Sequence, residues 1–232
     1  MLWITEGKSA MTHLMGGMSQ AQRSVFGMMA IRGKILNALK HSDVKTMANT
    51  EIMGIIAAMG LSIKARDDVS KLRYPGGIVW ATDQDGDGRH IAALGTVTLC
   101  TLFPVLRAIP GFFKFLNTPL LRCKGLGRDK SELEFDSSQD FIDWKRHYEA
   151  AEGCAVEDRF AIKYYKGLAT LESADVRRVF QQLAARLVTL VLDAETHAIM
   201  LKYFDKDQED ARKDALCELA NRLNRGETAP II

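Results

Sequence analysis

The chain lacks any apolar run approaching the ~18–20 residues that a membrane span needs, and no basic segment followed by an apolar stretch opens it as a secretory signal would. Cys100, Cys123, Cys154 and Cys217 are widely spaced, form no CxxC pair and have no histidine nearby at ligand spacing. They read as free thiols of an intracellular, reducing compartment. Internal repeats and low-complexity tracts are missing too. So is a charge of one sign: 31 Lys and Arg against 29 Asp and Glu leave +2. That balance is too small to advertise nucleic-acid binding, because any basic surface must be offset by acidic residues elsewhere. What is left is the composition of an ordinary soluble globular protein, 232 residues at 47% hydrophobic and 26% charged. It suits one large domain or one domain with an appendage. Met1-Leu2-Trp3-Ile4 reads as the start of a buried strand, so an excised piece or one subunit of a split protein is expected.

Against these absences stands Asp83-Gln84-Asp85-Gly86-Asp87-Gly88, preceded by the apolar run Ile78-Val79-Trp80-Ala81. A strand running into an acidic turn is the natural reading. Alternation along extended backbone puts the three carboxylates on one side, where they repel unless a divalent cation sits among them. Hard oxygen donors suit Mg²⁺ or Ca²⁺ and point to metal-assisted phosphate chemistry. An EF-hand is the competing pattern, and it requires a bidentate glutamate at the twelfth loop position. Counted from Asp83 that position is Leu94, and the loop is entered from a strand rather than a helix. The calcium loop is therefore set aside, while a plain solvated loop stays open until partners are found.

Leu2–Thr5 reads as a strand turning through Glu6-Gly7-Lys8-Ser9-Ala10 into a helix that Gly16-Gly17 interrupts. Residues 49–61 have a helical pattern, with Ile52, Ile55, Ile56 and Met59 on one face and Gly60 as the stop. Further expectations are a strand over 77–82, a helix over about 89–108, and a strand over 113–122 bearing Thr118-Pro119. A polar hairpin or loop over 123–135, a helix ending near Gly153 and a strand over 160–165 follow. From Ser173 the chain reads as helical, with Val176, Phe180, Leu183 and Leu187 in one stripe, then a charged helix over 205–224 and a loop-like end at Thr228-Ala229-Pro230. Alternating strands and helices imply an α/β fold, a largely parallel sheet with helices on both faces and a helical C-terminal extension. In such sheets active groups gather beyond the carboxyl ends of the strands. Glu6 and Asp83 both sit there. A carboxylate at Glu6 facing Asp83 and Asp85 is expected to titrate high without metal, which suits a general acid or base.

The ordered set Glu6-Gly7-x-Ser9-Ala10, Arg32-Gly33-Lys34-Ile35-Leu36-Asn37, Leu72-Arg73-Tyr74, Thr82 through His90-Ile91, Thr118-Pro119-Leu120 and Tyr164-Tyr165-Lys166-Gly167-Leu168 resembles the Toprim region of type II DNA topoisomerases. That superfamily comprises the gyrase B subunit, topoisomerase IV and eukaryotic or viral topoisomerase II. The resemblance runs over about residues 2–215, and the variant spelling suggests a divergent viral or phage member. It implies a Rossmann-like Toprim domain over 1–170 and a helical extension over 171–232 leading toward a winged-helix cleavage domain. It further implies that Glu6 is a metal ligand and the general acid/base at the scissile 3′ oxygen. Asp83 and Asp85 would hold catalytic Mg²⁺ and Asp87 would serve a second metal position, with Mn²⁺ or Ca²⁺ able to substitute. Two-metal sites clamp the attacking and leaving oxygens of an in-line displacement. Arg32, Lys34, Asn37 and Lys166 would approach double-stranded DNA, the basic groups neutralising phosphates.

Three departures are present. Lys8 replaces the usual aspartate of the family's EGDSA, adding a cation beside Glu6 that favours its carboxylate form. Ala169 stands where YKGLGT has glycine, making any left-handed backbone there costly. Cys123-Lys124-Gly125-Leu126-Gly127 imitates the same motif but follows the third strand directly, and reads as a decoy in a loop. Tyr74, Tyr148, Tyr164, Tyr165 and Tyr203 all lie in Toprim-like contexts, so none is a good nucleophile. The expected activity is thus the Mg²⁺-binding half of an ATP-dependent cleavage–religation centre within a dimeric or heteromeric assembly. Its tyrosine and its ATPase would come from other domains or subunits, in the host cytoplasm or nucleus if the source is viral. The rivals are another Toprim enzyme (a nuclease, primase or type IA topoisomerase) and a non-catalytic DNA-binding scaffold.

Overall fold

The structure, a computed structural model, describes residues 1–128, 130–165 and 167–225. In chain order the first elements are β1 (Leu2–Glu6), α1 (Gly7–Gly17), α2 (Gln20–Val25), β2 (Gly27–Ile31), α3 (Asp43–Met47) and α4 (Thr50–Met59). Next come β3 (Ile78–Ala81), α5 (Gly86–Leu102), β4 (Phe113–Leu116), β5 (Leu121–Gly125), β6 (Glu132–Phe135) and α6 (Ser138–Glu152). The rest are β7 (Phe160–Tyr164), α7 (Ser173–Gln181), α8 (Leu183–Arg186), β8 (Leu187–Thr189), α9 (Ala194–Phe204) and α10 (Glu209–Asn224). The expected α/β class, a mostly parallel sheet flanked by helices with a helical C-terminal extension, is what these elements form.

Two compact units share the chain. The first combines residues 1–33, 74–92 and 113–190, and the second 34–73, 93–112 and 191–232. The expected division after residue 170 falls inside the first unit, just ahead of α7.

The first unit holds both sheets. The larger has strand order β2-β1-β3-β4-β8, parallel except for its last pair. Trp3 lies opposite Val79 and Thr5 opposite Ala81, so these side chains share one face of the sheet. Trp3, Val79, Ala81 and Leu116 pack there against Ala10 and Leu14 of α1 and Val176, Val179 and Phe180 of α7. Each large side chain so buried contributes about 1.5–3 kcal/mol. A neutral hydrogen bond adds only about 1 kcal/mol net, so it is burial that sets the α1–α7 layer. Leu2, Ile4, Ile78 and Trp80 point to the opposite face and are buried as well, which explains why both strands are unbroken apolar runs. The smaller sheet is antiparallel, order β6-β5-β7, closed by α6 through Phe135, Phe141, Trp144, Tyr148 and Phe160.

The second unit is helical. α4 forms where its pattern places it: the Asn49 side chain accepts the Ile52 N–H (3.0 Å), and Gly60 closes the helix at φ 76°. Thr98 of α5 donates to Leu36 O (2.9 Å), and Arg212 of α10 donates to Tyr203 O and Asp205 O at 3.1 Å each. No helix among the described residues is long and apolar enough to cross a membrane.

Three expectations are corrected. The single strand over 113–122 is two strands in different sheets, separated at Asn117-Thr118-Pro119, where proline has no N–H to donate to a ladder. The helix over 89–108 starts earlier, at Gly86, and stops at Leu102, because Pro104 cannot continue it and begins a 3-10 turn instead. Leu187 belongs not to a helical stripe but to β8, which pairs antiparallel with β4 and places Leu187 opposite Leu116. The loop-like end expected at Thr228-Ala229-Pro230 lies outside the described residues.

Candidate functional site

Strands β2, β1 and β3 are neighbours, and all three run toward the same edge of the sheet. Arg32 follows the last residue of β2, Glu6 ends β1 opposite Ile31, and Asp83 lies two residues beyond β3. Adjacent strands are about 4.8 Å apart, so Arg32, Glu6 and Asp83 emerge in one row at the carboxyl edge. Arg32, Glu6, Asp85 and Asp87 are exposed, and Asp83 is half-buried.

Local chemistry explains the shape of the acidic turn. Thr82, fully buried, donates its hydroxyl to Gly88 O (2.8 Å). Asp85 Oδ1 accepts the Gly88 N–H (2.8 Å), capping the first turn of α5. Asp87 lies in that same turn, where the helix dipole favours a negative charge. Gln84 donates to Leu116 O (2.7 Å), fastening the turn to β4, while its Oε1 is buried with no hydrogen-bond partner. Gly88 is obligatory by space: a Cβ there would sit 2.8 Å from Asp83 N and 2.9 Å from Asp83 C.

A second segment reaches the turn from β7. Leu168 N–H donates to Asp83 Oδ1 (2.8 Å), and Gly167 lies so close that a Cβ would stand 2.6 Å from Asp83 Cγ and 2.7 Å from Oδ1. Backbone thus grips one of the three carboxylates that the acidic turn offers. Behind this grip lies a charged network. Asp175 (4% exposed) accepts from the Arg122 guanidinium, from Tyr165 OH (3.1 Å) and from Glu172 N–H (3.2 Å). Arg122 also donates to Glu134 Oε1 from Nε (3.1 Å) and Nη2 (2.8 Å). Burial alone pushes the Asp175 carboxyl up, but the bonds from Arg122 and the Glu172 N–H outweigh it and hold the group below its ordinary range. Burial likewise drives the Tyr165 phenol upward, with Arg122 pulling the other way, so Tyr165 stays a protonated donor.

Among the described residues no group of three or more His, Cys, Asp and Glu side chains is gathered closely enough to hold a metal ion. The donor set itself is all oxygen and suits a hard cation. Asp83 and Asp85 each commit one oxygen, Oδ1, to a backbone N–H. Glu6 adds an exposed carboxylate from the adjoining strand. The site is a row of anions at a strand edge, with chemistry fitting Mg²⁺ but no closed coordination sphere.

The other expected residues are placed differently. Lys34 and Asn37 belong to the second unit. Lys34 is exposed, whereas Asn37 is half-buried with both ends of its amide in use: Nδ2 donates to Phe204 O (2.8 Å) and Oδ1 accepts from Leu39 N–H (2.9 Å). Lys166 lies outside the described residues. Lys8 is exposed in the first turn of α1. Ala169 incurs no left-handed strain, since no non-glycine residue among those described has positive φ. The imitation motif is not the loop expected: Cys123–Gly125 form the end of β5, paired with Ile162, Ala161 and Phe160 of β7, and only Leu126-Gly127 enter the turn beyond it. Sequence reasoning missed the roles of Thr82, Gln84, Gly167 and the Leu168 N–H. Only the glycine offered a signal, because a main-chain donor is invisible in side-chain identity.

A parallel sheet with a glutamate ending one strand and a DxDxDG turn after its neighbour defines the Toprim class. Residues 1–108 match the Toprim domain family, and residues 116–229 match the C-terminal associated domain of TOPRIM. A DNA topoisomerase 2 of Acanthamoeba polyphaga mimivirus is 38% identical over 189 residues, covering 81% of this chain and 14% of that protein. Human DNA topoisomerase 2-beta is 34% identical over 220 residues, covering 93% of this chain and 13% of the relative. The crystal structure of the Plasmodium falciparum topoisomerase II DNA-binding, cleavage and re-ligation domain matches with a TM-score of 0.78 at 28% identity, over 91% of this chain and 28% of that one. The chain therefore belongs to the Toprim family, as a region homologous to that of DNA topoisomerase II. It spans only 13–14% of the length of the two relatives named.

Proposed function

We propose that this chain is the Mg²⁺-binding half of the DNA cleavage–religation centre of an ATP-dependent type II DNA topoisomerase. Its substrate is double-stranded DNA, and it works with a tyrosine from a winged-helix domain or subunit and an ATPase from another. The observation carrying this reading is that Glu6 and Asp83 end adjacent parallel strands, with Asp85 next along, inside a region homologous to topoisomerase II. Glu6, Asp83, Asp85 and Asp87 would hold Mg²⁺ in a two-metal arrangement. Bound there, the metal supplies charge neutralisation for oxygens at phosphorus.

A tyrosine phenolate, its proton released to solvent, attacks phosphorus, so that the Tyr O–P bond forms as the P–O3′ bond breaks. Glu6 gives the departing 3′ oxygen its proton and takes it back on religation. Arg32 follows β2 in the same row and screens a phosphate beside Glu6. Lys34 and Lys166 also contact DNA, neutralising phosphates. Asn37 contributes through the segment it braces, since its own amide is engaged within the protein. Residues 171–232 lead toward the tyrosine-bearing neighbour, and the working compartment is intracellular.

Nicking of supercoiled DNA tests this directly. The chain alone with Mg²⁺ should be silent, and adding a tyrosine-bearing partner should produce cleavage that Glu6→Gln and Asp83→Asn abolish. Metal-dependent nicking by the chain alone would mark a nuclease instead. Full activity of both variants in the reconstituted complex would mark a scaffold.

A further inference from the structure

The Asp175 carboxylate touches both ends of one loop. On the upstream side it accepts from Tyr165 OH (3.1 Å) and from Lys163 Nζ (3.5 Å), and on the downstream side from Glu172 N–H (3.2 Å). Lys163 closes the ring by donating to Glu172 Oε1 (2.6 Å). Midway along that loop are Gly167 and Leu168, the two residues in contact with Asp83. Arg122 anchors Asp175 in turn to the smaller sheet through Glu134, which Arg186 also holds while donating to Asp136 Oδ1 at 2.7 Å. A buried pair this costly to desolvate is weak evidence for stability alone. What such a network does supply is a fixed geometry for everything tied to it.

We infer that Asp175 is a positioning residue for the acidic turn: by pinning both ends of the Tyr165–Glu172 loop, it aims the Leu168 N–H at Asp83 and fixes that carboxylate's rotamer. The smaller sheet, remote in sequence from the acidic turn, thereby sets its geometry. The inference rests on the reading of Asp83 as a working carboxylate, but its first readout is independent of that reading.

Amide hydrogen exchange of the full chain provides that readout. Asp175→Asn and Tyr165→Phe should each speed exchange of the Leu168 amide at least tenfold, with Ile4 and Val79 unchanged. Thr170 N–H, which bonds within the loop to Gly167 O (3.0 Å), should follow Leu168 only in the Asp175 variant. If Asp175→Asn loses protection everywhere, it has unfolded and Tyr165→Phe decides alone. Wild-type protection at Leu168 in a folded Tyr165→Phe chain overturns the inference. As a second arm, Mn²⁺ titration should show at least threefold weaker binding in Tyr165→Phe than in wild type. Failure of the wild-type chain to bind Mn²⁺ would sink the metal reading and leave the Leu168 result standing.

Discussion

Gly167→Ala separates geometry from stability at this site. The added Cβ would lie 2.6 Å from Asp83 Cγ, against a comfortable carbon–carbon contact of about 3.5–4.0 Å. The carboxylate must therefore withdraw by about 1 Å. It is the far end of a side chain, so it can swing away while the backbone stays put. The movement breaks the bond from Leu168 N–H, a hydrogen bond to a charged group worth about 1.5–3 kcal/mol. Water recovers part of that at a half-buried position, leaving a loss of about 1–2 kcal/mol. For a chain of this length the melting temperature should fall by about 2–8 °C. Cleavage should suffer far more, because a displacement of about 1 Å in a working group can cost about 100-fold. Thermal denaturation by circular dichroism and cleavage of supercoiled DNA by the reconstituted complex give the two numbers. Cleavage within twofold of wild type would refute the reasoning, and so would outright unfolding.

Gly88→Ala should behave in the opposite way, since its Cβ would meet Asp83 backbone atoms at 2.8 and 2.9 Å and nothing cheap can move. Overpacking of this kind costs about 1–3 kcal/mol or more, so this chain should melt below Gly167→Ala in the same denaturation experiment. Asp175→Asn should cost about 1.5–3 kcal/mol at neutral pH by removing the charge-assisted bond from Arg122, which keeps Glu134 as its remaining counter-ion. Because the folded-state pKa of Asp175 lies below its unfolded value of about 3.9, its contribution is complete above that pH and fades as pH falls through the folded value. Urea melts between pH 7 and pH 3 should accordingly show a constant gap between wild type and variant down to about pH 4 and a narrowing gap below it. Thiol titration with a chromogenic disulfide at pH 8 should modify exposed Cys217 first. Cys100 should lag far behind, because burial pushes its thiol up to about 12 despite Arg107 nearby.

Much of this molecule is legible in its sequence, and the illegible parts share a physical cause. Apolar runs at Leu2–Ile4 and Ile78–Ala81 announce strands buried on both faces, and Asn49 with Gly60 announces both ends of α4. The row of Glu6 and Asp83 follows once those strands are taken as parallel neighbours. What escapes is whatever depends on long-range pairing. Pro119 interrupts the run over 113–122, but nothing local says that Phe115 and Leu121 enter different sheets. Leu187 fits a helical stripe until β4 offers it a strand partner. At the site, carboxylates could be read by type, but the donors that orient them are the main chain of Leu168 and Gly88. Asn37 illustrates the converse: its side-chain chemistry suits DNA, yet Phe204 O and the Leu39 N–H occupy it.

In the proposed function, carboxylates from two strand ends act together on one divalent cation. Mn²⁺ titration of the full chain, followed by paramagnetic broadening of backbone amide signals, addresses that claim most directly. Saturable broadening centred on Gly7, Gln84 and Asp85, weakened at least tenfold by Glu6→Gln and by Asp83→Asn separately, is the predicted result. Broadening centred elsewhere, or equal Mn²⁺ affinity with and without the Glu6 carboxylate, would contradict it.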